Sequence, residues 1–204
     1  MNARWINGLV SGALLTALAW GAGCTSVLKP KVDSTRFFVL GAPKAPEAAE
    51  VRMFTGSVGL LAIRLPGYLA DRREFATRTG AEVRYLSHWR WAEGRERAVA
   101  DRLRLALADR LRGAQVQRVP WADRFRPEVV IGLDLERFEA DDQGVVHFVV
   151  RWSLLDGETR ALRTTGRFSA SLAGPADDPD SRVERLGQLV DQLASELANR
   201  VATP

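Results

Sequence analysis

The chain has 204 residues, 46% of them apolar and 26% charged, and its 29 basic and 25 acidic side chains leave a net charge of +4. That balance is globular rather than disordered, and so small a positive surplus gives nucleic-acid binding no support. A single cysteine excludes an intrachain disulfide, and the length remaining after residue 24 suits one domain rather than two.

The amino end carries no charged side chain between Trp5 and Leu28. Arg4 precedes this run, Leu9, Val10, Leu14, Leu15 and Leu18 form its apolar centre, and Gly21-Ala22-Gly23 leads into Cys24. Positive flank, apolar centre and small residues in that order mark an export signal. With the cysteine directly behind, the stretch resembles a bacterial lipoprotein signal, in which the thiol receives a diacylglyceryl group and further acyl chains such as palmitate. It departs from that pattern at Gly21, where a Leu or Val is usual. The run is also long enough for a transmembrane helix. Its glycines dilute the segment, however, and Lys29 and Lys31 would sit on the side that has to cross. Residues 1–23 are therefore expected to be a signal peptide, 24–35 a lipidated tether containing Pro30, and 36–204 a single domain.

Arg36 to Leu40 reads as a first strand and 42–50, with two prolines, as a loop. Ser57 to Leu65 has apolar residues on both faces, which predicts a central strand ended by Pro66-Gly67. Residues 68–72 allow about one helical turn. Glu74 to Thr79 and Glu82 to Leu86 flank Gly80 as a hairpin, and His88 to Glu93 leads, rich in aromatics, into a helix. From Arg95 to Arg112, Val99, Leu103, Ala106, Leu107 and Leu111 recur at helical spacing, with Gly113 as the stop. Val116 to Val119 is a short strand. Residues 128–138, 146–154 and 162–172 alternate with period two around turns at 141–144 and 156–157, which predicts an antiparallel meander with one buried face. Ser181 with Glu184 has the form of a capping box, and Val183, Leu186, Val190, Leu193, Leu197 and Val201 stripe a final helix. The expected fold is α/β in the α+β sense, a mixed, largely antiparallel sheet with two long amphipathic helices packed on it.

No catalytic set stands out. His88 and His147 are the only histidines, and neither metal-ligand spacing nor a phosphate-cradling glycine loop is present. Asp141-Asp142 pairs two carboxylates, but where a hairpin turn is expected. Neither catalytic residues, a cofactor nor a metal is expected; the sole covalent addition is the lipid on Cys24.

Leu65-Pro66-Gly67-Tyr68-Leu69, followed after the hairpin by Trp91-Ala92-Glu93 and the amphipathic helix, resembles the ABC-type transport auxiliary lipoprotein family, the PqiC type of intermembrane transport lipoprotein. The resemblance runs from Phe37 to the last helix. The chain departs from it at Gly94-Arg95, where the family often has Pro-Leu. It implies a non-catalytic accessory subunit lying at the periplasmic face of the outer membrane. Its implied partners are an MCE-domain periplasmic protein and an ABC transporter permease and ATPase that move lipid between the membranes in support of membrane integrity. It also implies a homo-oligomer and no nucleic acid. Thr25 after the cysteine fits outer-membrane sorting. Leu65, Pro66, Tyr68, Leu69, Trp91 and Glu93 are the motif residues, serving either an interface or the scaffold. An envelope structural lipoprotein without a transporter, or a periplasmic ligand-binding module, is the alternative.

Overall fold

A computed structural model describes residues 33–203, so Cys24 and the expected signal peptide lie outside the described residues. In order, the chain forms β1 (Arg36–Phe38), a 3-10 turn (Ala48–Glu50), β2 (Arg52–Met53), β3 (Ser57–Leu60), α1 (Gly67–Ala70), β4 (Glu74–Thr79) and β5 (Glu82–Trp91). There follow α2 (Arg95–Arg110), β6 (Leu111–Arg112), β7 (Gln115–Arg118), β8 (Val129–Ala140), β9 (Val146–Asp156), β10 (Leu162–Leu172) and α3 (Pro179–Ala202).

The sheet is built on β8. One edge of β8 pairs antiparallel with β9, and β9 with β10, which is the expected meander. The other edge is shared by two strands: β3 runs parallel to its first residues, Val58 opposite Val129, and Thr77 of β4 meets its last, Ala140. β7 flanks β3, while β5 and then β1 extend the sheet beyond β4. The three antiparallel ladders are the long ones, so the sheet is mixed and largely antiparallel, as the period-two pattern predicts.

Alternation buries one face. Val129, Ile131, Leu133 and Leu135 of β8 join Val146, Phe148, Val150 and Trp152 of β9 in the core. At Glu136 a bulge changes the register, Leu135 opposing Val150 and Arg137 opposing Val149. One extra residue flips the parity of a strand, and the buried set duly continues at Phe138 and Ala140. α3 covers this face with Leu186, Leu189, Val190, Leu193 and Leu197 and packs along α2, which contributes Val99, Leu103, Ala106 and Leu107. The opposite face is polar and ion-paired: Glu136 meets Arg151 at 3.1 Å and Arg167 at 2.9 Å, and Asp134 meets Arg64.

Four local expectations need correction. The strand from Ser57 is regular only to Leu60; beyond it the chain follows β8 irregularly, with the Leu61 N–H donating to Ile131 O at 2.9 Å and the Arg64 N–H to Leu133 O at 3.1 Å. The aromatic lead at 88–91 is strand, because β1 lies parallel to it and pairs Phe37 with Arg90 and Phe38 with Trp91. α2 ends at Arg110, since Leu111 and Arg112 pair with Arg52 and Met53 in a small parallel ribbon. Finally, α3 starts at Pro179 with Asp178 as its N-cap, the carboxylate accepting from the Ser181 N–H at 3.1 Å. Proline suits the first helical position and aspartate the cap, so Ser181 falls inside the first turn and forms no capping box with Glu184.

Candidate functional site

The motif residues assemble where α1 meets the start of α2. Pro66 presets the entry to α1, its carbonyl accepting from the Leu69 and Ala70 amides at 2.9 and 3.1 Å. Leu69 is buried in the core, and Leu65 and Tyr68 pack against it half-buried. Trp91 is buried too, stacked on Phe75 with ring centres 4.8 Å apart, its backbone N–H donating to Arg73 O at 2.8 Å. Glu93 is half-exposed at the mouth of α2, where its carboxylate stands 3.7 Å from the Arg97 guanidinium. Of the sequence-predicted site residues, Leu65, Pro66, Tyr68, Leu69, Trp91 and Glu93 thus fall in one region, and Cys24 lies outside the described residues.

Tyr68 carries the cluster's polar contact. Its hydroxyl donates to Glu139 Oε2 at 3.0 Å, and that buried carboxylate also accepts from the Phe138 N–H at 2.8 Å and from Arg137 Nε at 2.7 Å. Burial, and secondarily the negative charge of Glu139, pushes the phenol up to about 12.

The residue sequence reasoning missed is Arg95. The residue is 2% exposed, and its guanidinium donates to Leu69 O at 2.6 Å, to Arg72 O at 2.5 Å and to Glu74 O. It thereby binds the end of α1 and the start of β4 to the first turn of α2. Burial draws its pKa down to about 10. Arg102 is the counterpart further along α2: it grips Asp191 of α3 through two hydrogen bonds of 3.0 and 2.7 Å and donates to Gly41 O. A signal existed, since Arg95 and Arg102 lie four before and three after Val99, on the apolar stripe of α2 rather than opposite it.

His147 links Ser171 and Asp141, with Nδ1 2.8 Å from the Ser171 Oγ and Nε2 3.0 Å from Asp141 Oδ2. Partial burial tends to raise the Asp141 carboxyl, but hydrogen bonds from His147 and from the Val145 and Gln143 amides hold it below its ordinary range. The order Ser-His-Asp is that of a hydrolytic relay. However, Ser171 stands within the β9–β10 ladder directly opposite His147, on a strand surface rather than at the sharp turn that presents a nucleophile. Asp141 instead closes the β8–β9 turn, accepting from the Gln143 and Val145 amides as its sequence predicts. Asp141 also lines, with His88, Asp142, Trp89 and Arg182, a recess of about 590 Å³ in which the Arg182 guanidinium lies 5.4 Å from the Trp89 ring centre. Among the described residues no group of His, Cys, Asp and Glu could hold a metal ion.

Against this geometry, the sequence model of the family described as ABC-type transport auxiliary lipoprotein component matches residues 38–198. No curated protein matches the sequence. Among solved structures, the chain is similar to protein XCC0632 from Xanthomonas campestris, of the DUF330 family, with a TM-score of 0.69 at 16% identity over 82% of this chain and 95% of that one. It is likewise similar to an uncharacterized protein, with a TM-score of 0.68 at 17% identity over 82% of this chain and 98% of that one. At such identities the likeness is one of fold.

Proposed function

Because the chain belongs to the ABC-type transport auxiliary lipoprotein component family, we propose that it is a non-catalytic accessory subunit of a lipid-transporting ABC system that includes an MCE-domain protein. In this reading acyl chains on Cys24 hold it at the periplasmic face of the outer membrane, where a homo-oligomer of the domain docks the periplasmic component. The observation that carries the reading is the family match across nearly the whole described fold, from the last residue of β1 to Ala198, about one turn before the end of α3. Two further facts support it. The motif residues are spent on the scaffold around Arg95 rather than on a reaction centre. The Ser171–His147–Asp141 relay lies on the strand surface of β9 and β10, with Ser171 directly opposite His147 in the ladder, not at a sharp turn that presents a nucleophile.

The test is affinity purification of the lipidated protein from membranes with identification of what accompanies it. An ATPase, a permease and an MCE-domain protein are expected, and repeated recovery of none of them overturns the reading. A fluorophosphonate probe that labelled Ser171 would overturn the non-catalytic part separately.

A further inference from the structure

A groove of about 1160 Å³ opens at the end of the sheet where β8 begins, β9 ends and α3 runs out. Its lining mixes apolar side chains, among them Phe54, Trp121, Phe125 and Val201, with the guanidinium groups of Arg160 and Arg200. Trp121 and Phe125 meet edge-on with ring centres 6.1 Å apart. The indole lies against Gly59 of β3, where a Cβ would come within 2.7 Å of the ring, so the glycine makes room for it. Trp121 Nε1 is buried and has no hydrogen-bond partner among the described residues.

Arg160 is placed there against its backbone preference. With φ of 61° it is the one non-glycine residue among those described in the left-handed region. The turn that holds it is built on Asp156, whose carboxylate accepts from the Glu158 amide, the Thr159 amide and hydroxyl, and Arg163 Nη2, while the Arg160 N–H donates to Asp156 O at 3.0 Å. The result is a guanidinium 5.0 Å above the Trp121 ring. Such a conformation persists because the turn around Asp156 over-determines it. Among the described residues neither Arg160 nor Arg200 has a carboxylate partner, and four arginines against three carboxylates leave the whole lining one positive charge.

We propose that this groove binds a phosphate-headed amphiphile of the phospholipid class, its chain against Phe54, Trp121 and Phe125 and its phosphate on Arg160 and Arg200. Guanidinium pairs phosphate oxygens in a planar, two-bond geometry, and an aromatic wall takes an acyl chain without needing a fixed shape. The inference rests on the proposed function only in so far as that reading sets the chain beside phospholipid.

The test uses the full chain in cells grown on radioactive phosphate, with photoreactive p-benzoylphenylalanine in place of Phe54 or, as a control remote from the groove, of the exposed Leu105. Irradiation is expected to attach labelled lipid at position 54 at least tenfold above position 105. Arg160→Gly with Arg200→Ala is expected to cut that label about tenfold. Glycine suits the left-handed backbone at 160, so Arg160→Gly alone should melt no lower than the parent protein; a purely structural arginine would instead lower the melting temperature. Equal label at 54 and 105, or label undiminished without the two arginines, overturns the proposal. Failure here with the transporter still co-purifying removes the ligand and leaves the transport reading intact. Label without co-purification does the reverse.

Discussion

Arg95 joins two elements through three backbone carbonyls, so its removal differs from an ordinary surface truncation. Arg95→Met keeps much of the volume but leaves the carbonyls of Leu69, Arg72 and Glu74 without their donor. Urea unfolding is expected to show a loss of about 2–4 kcal/mol, with Arg95→Lys recovering part of it because an ammonium cannot match the planar fork. Tyr68 gives a pH signature as well. Its folded pKa of about 12 lies above the ordinary 10.0, so between those values the unfolded chain gives up the phenol proton first and stability falls as pH rises. Tyr68→Phe should therefore flatten this part of the alkaline limb in denaturation curves between pH 10 and 12, while costing about 1.5 kcal/mol at neutral pH for the lost bond to Glu139. At this scale the sequence was half legible. The burial of Leu69 and Trp91 follows from their apolar character, whereas a buried arginine contradicts the usual rule for charge and is betrayed only by its place on the stripe of α2.

Among the elements, α3 offers the clearest test, because two local signals competed for its start. With Asp178 as the cap, Asp178→Ala should cost about 1 kcal/mol in thermal or chemical unfolding, and Ser181→Ala no more than about 0.5 kcal/mol; the reverse order would restore the capping box. The meander was legible since hydrophobic alternation fixes both strand and face. What broke the pattern was not visible in it. The bulge at Glu136 moves the inward set from odd to even positions, and only the partner strand reveals that shift. Likewise β5 is longer than its own residues suggest, because β1 arrives from far earlier in the chain to pair with its end.

For the molecule as a whole, the expected anchor and the described domain make separable predictions. On the proposed lipidation, Cys24→Ser should leave the melting temperature unchanged, abolish palmitate labelling and shift the protein from the membrane to the soluble fraction; normal lipid traffic in that variant would refute an essential anchor. The fold class was legible from the order and type of elements, but the topology was not: no residue in β3 or β4 announces that both will share one edge of β8. That shared edge sets a schedule. A chain synthesised from its amino end makes β3 and the β4–β5 hairpin before β8, and until then they have no common edge. The β8–β9–β10 meander and the β4–β5 hairpin each close on a neighbour in sequence, whereas the pairings of β3 and β4 with β8 join segments far apart in the chain, a kind of contact that is slow to form. The part made last thus supplies the edge on which β3 and the β4–β5 hairpin, both made earlier, come together.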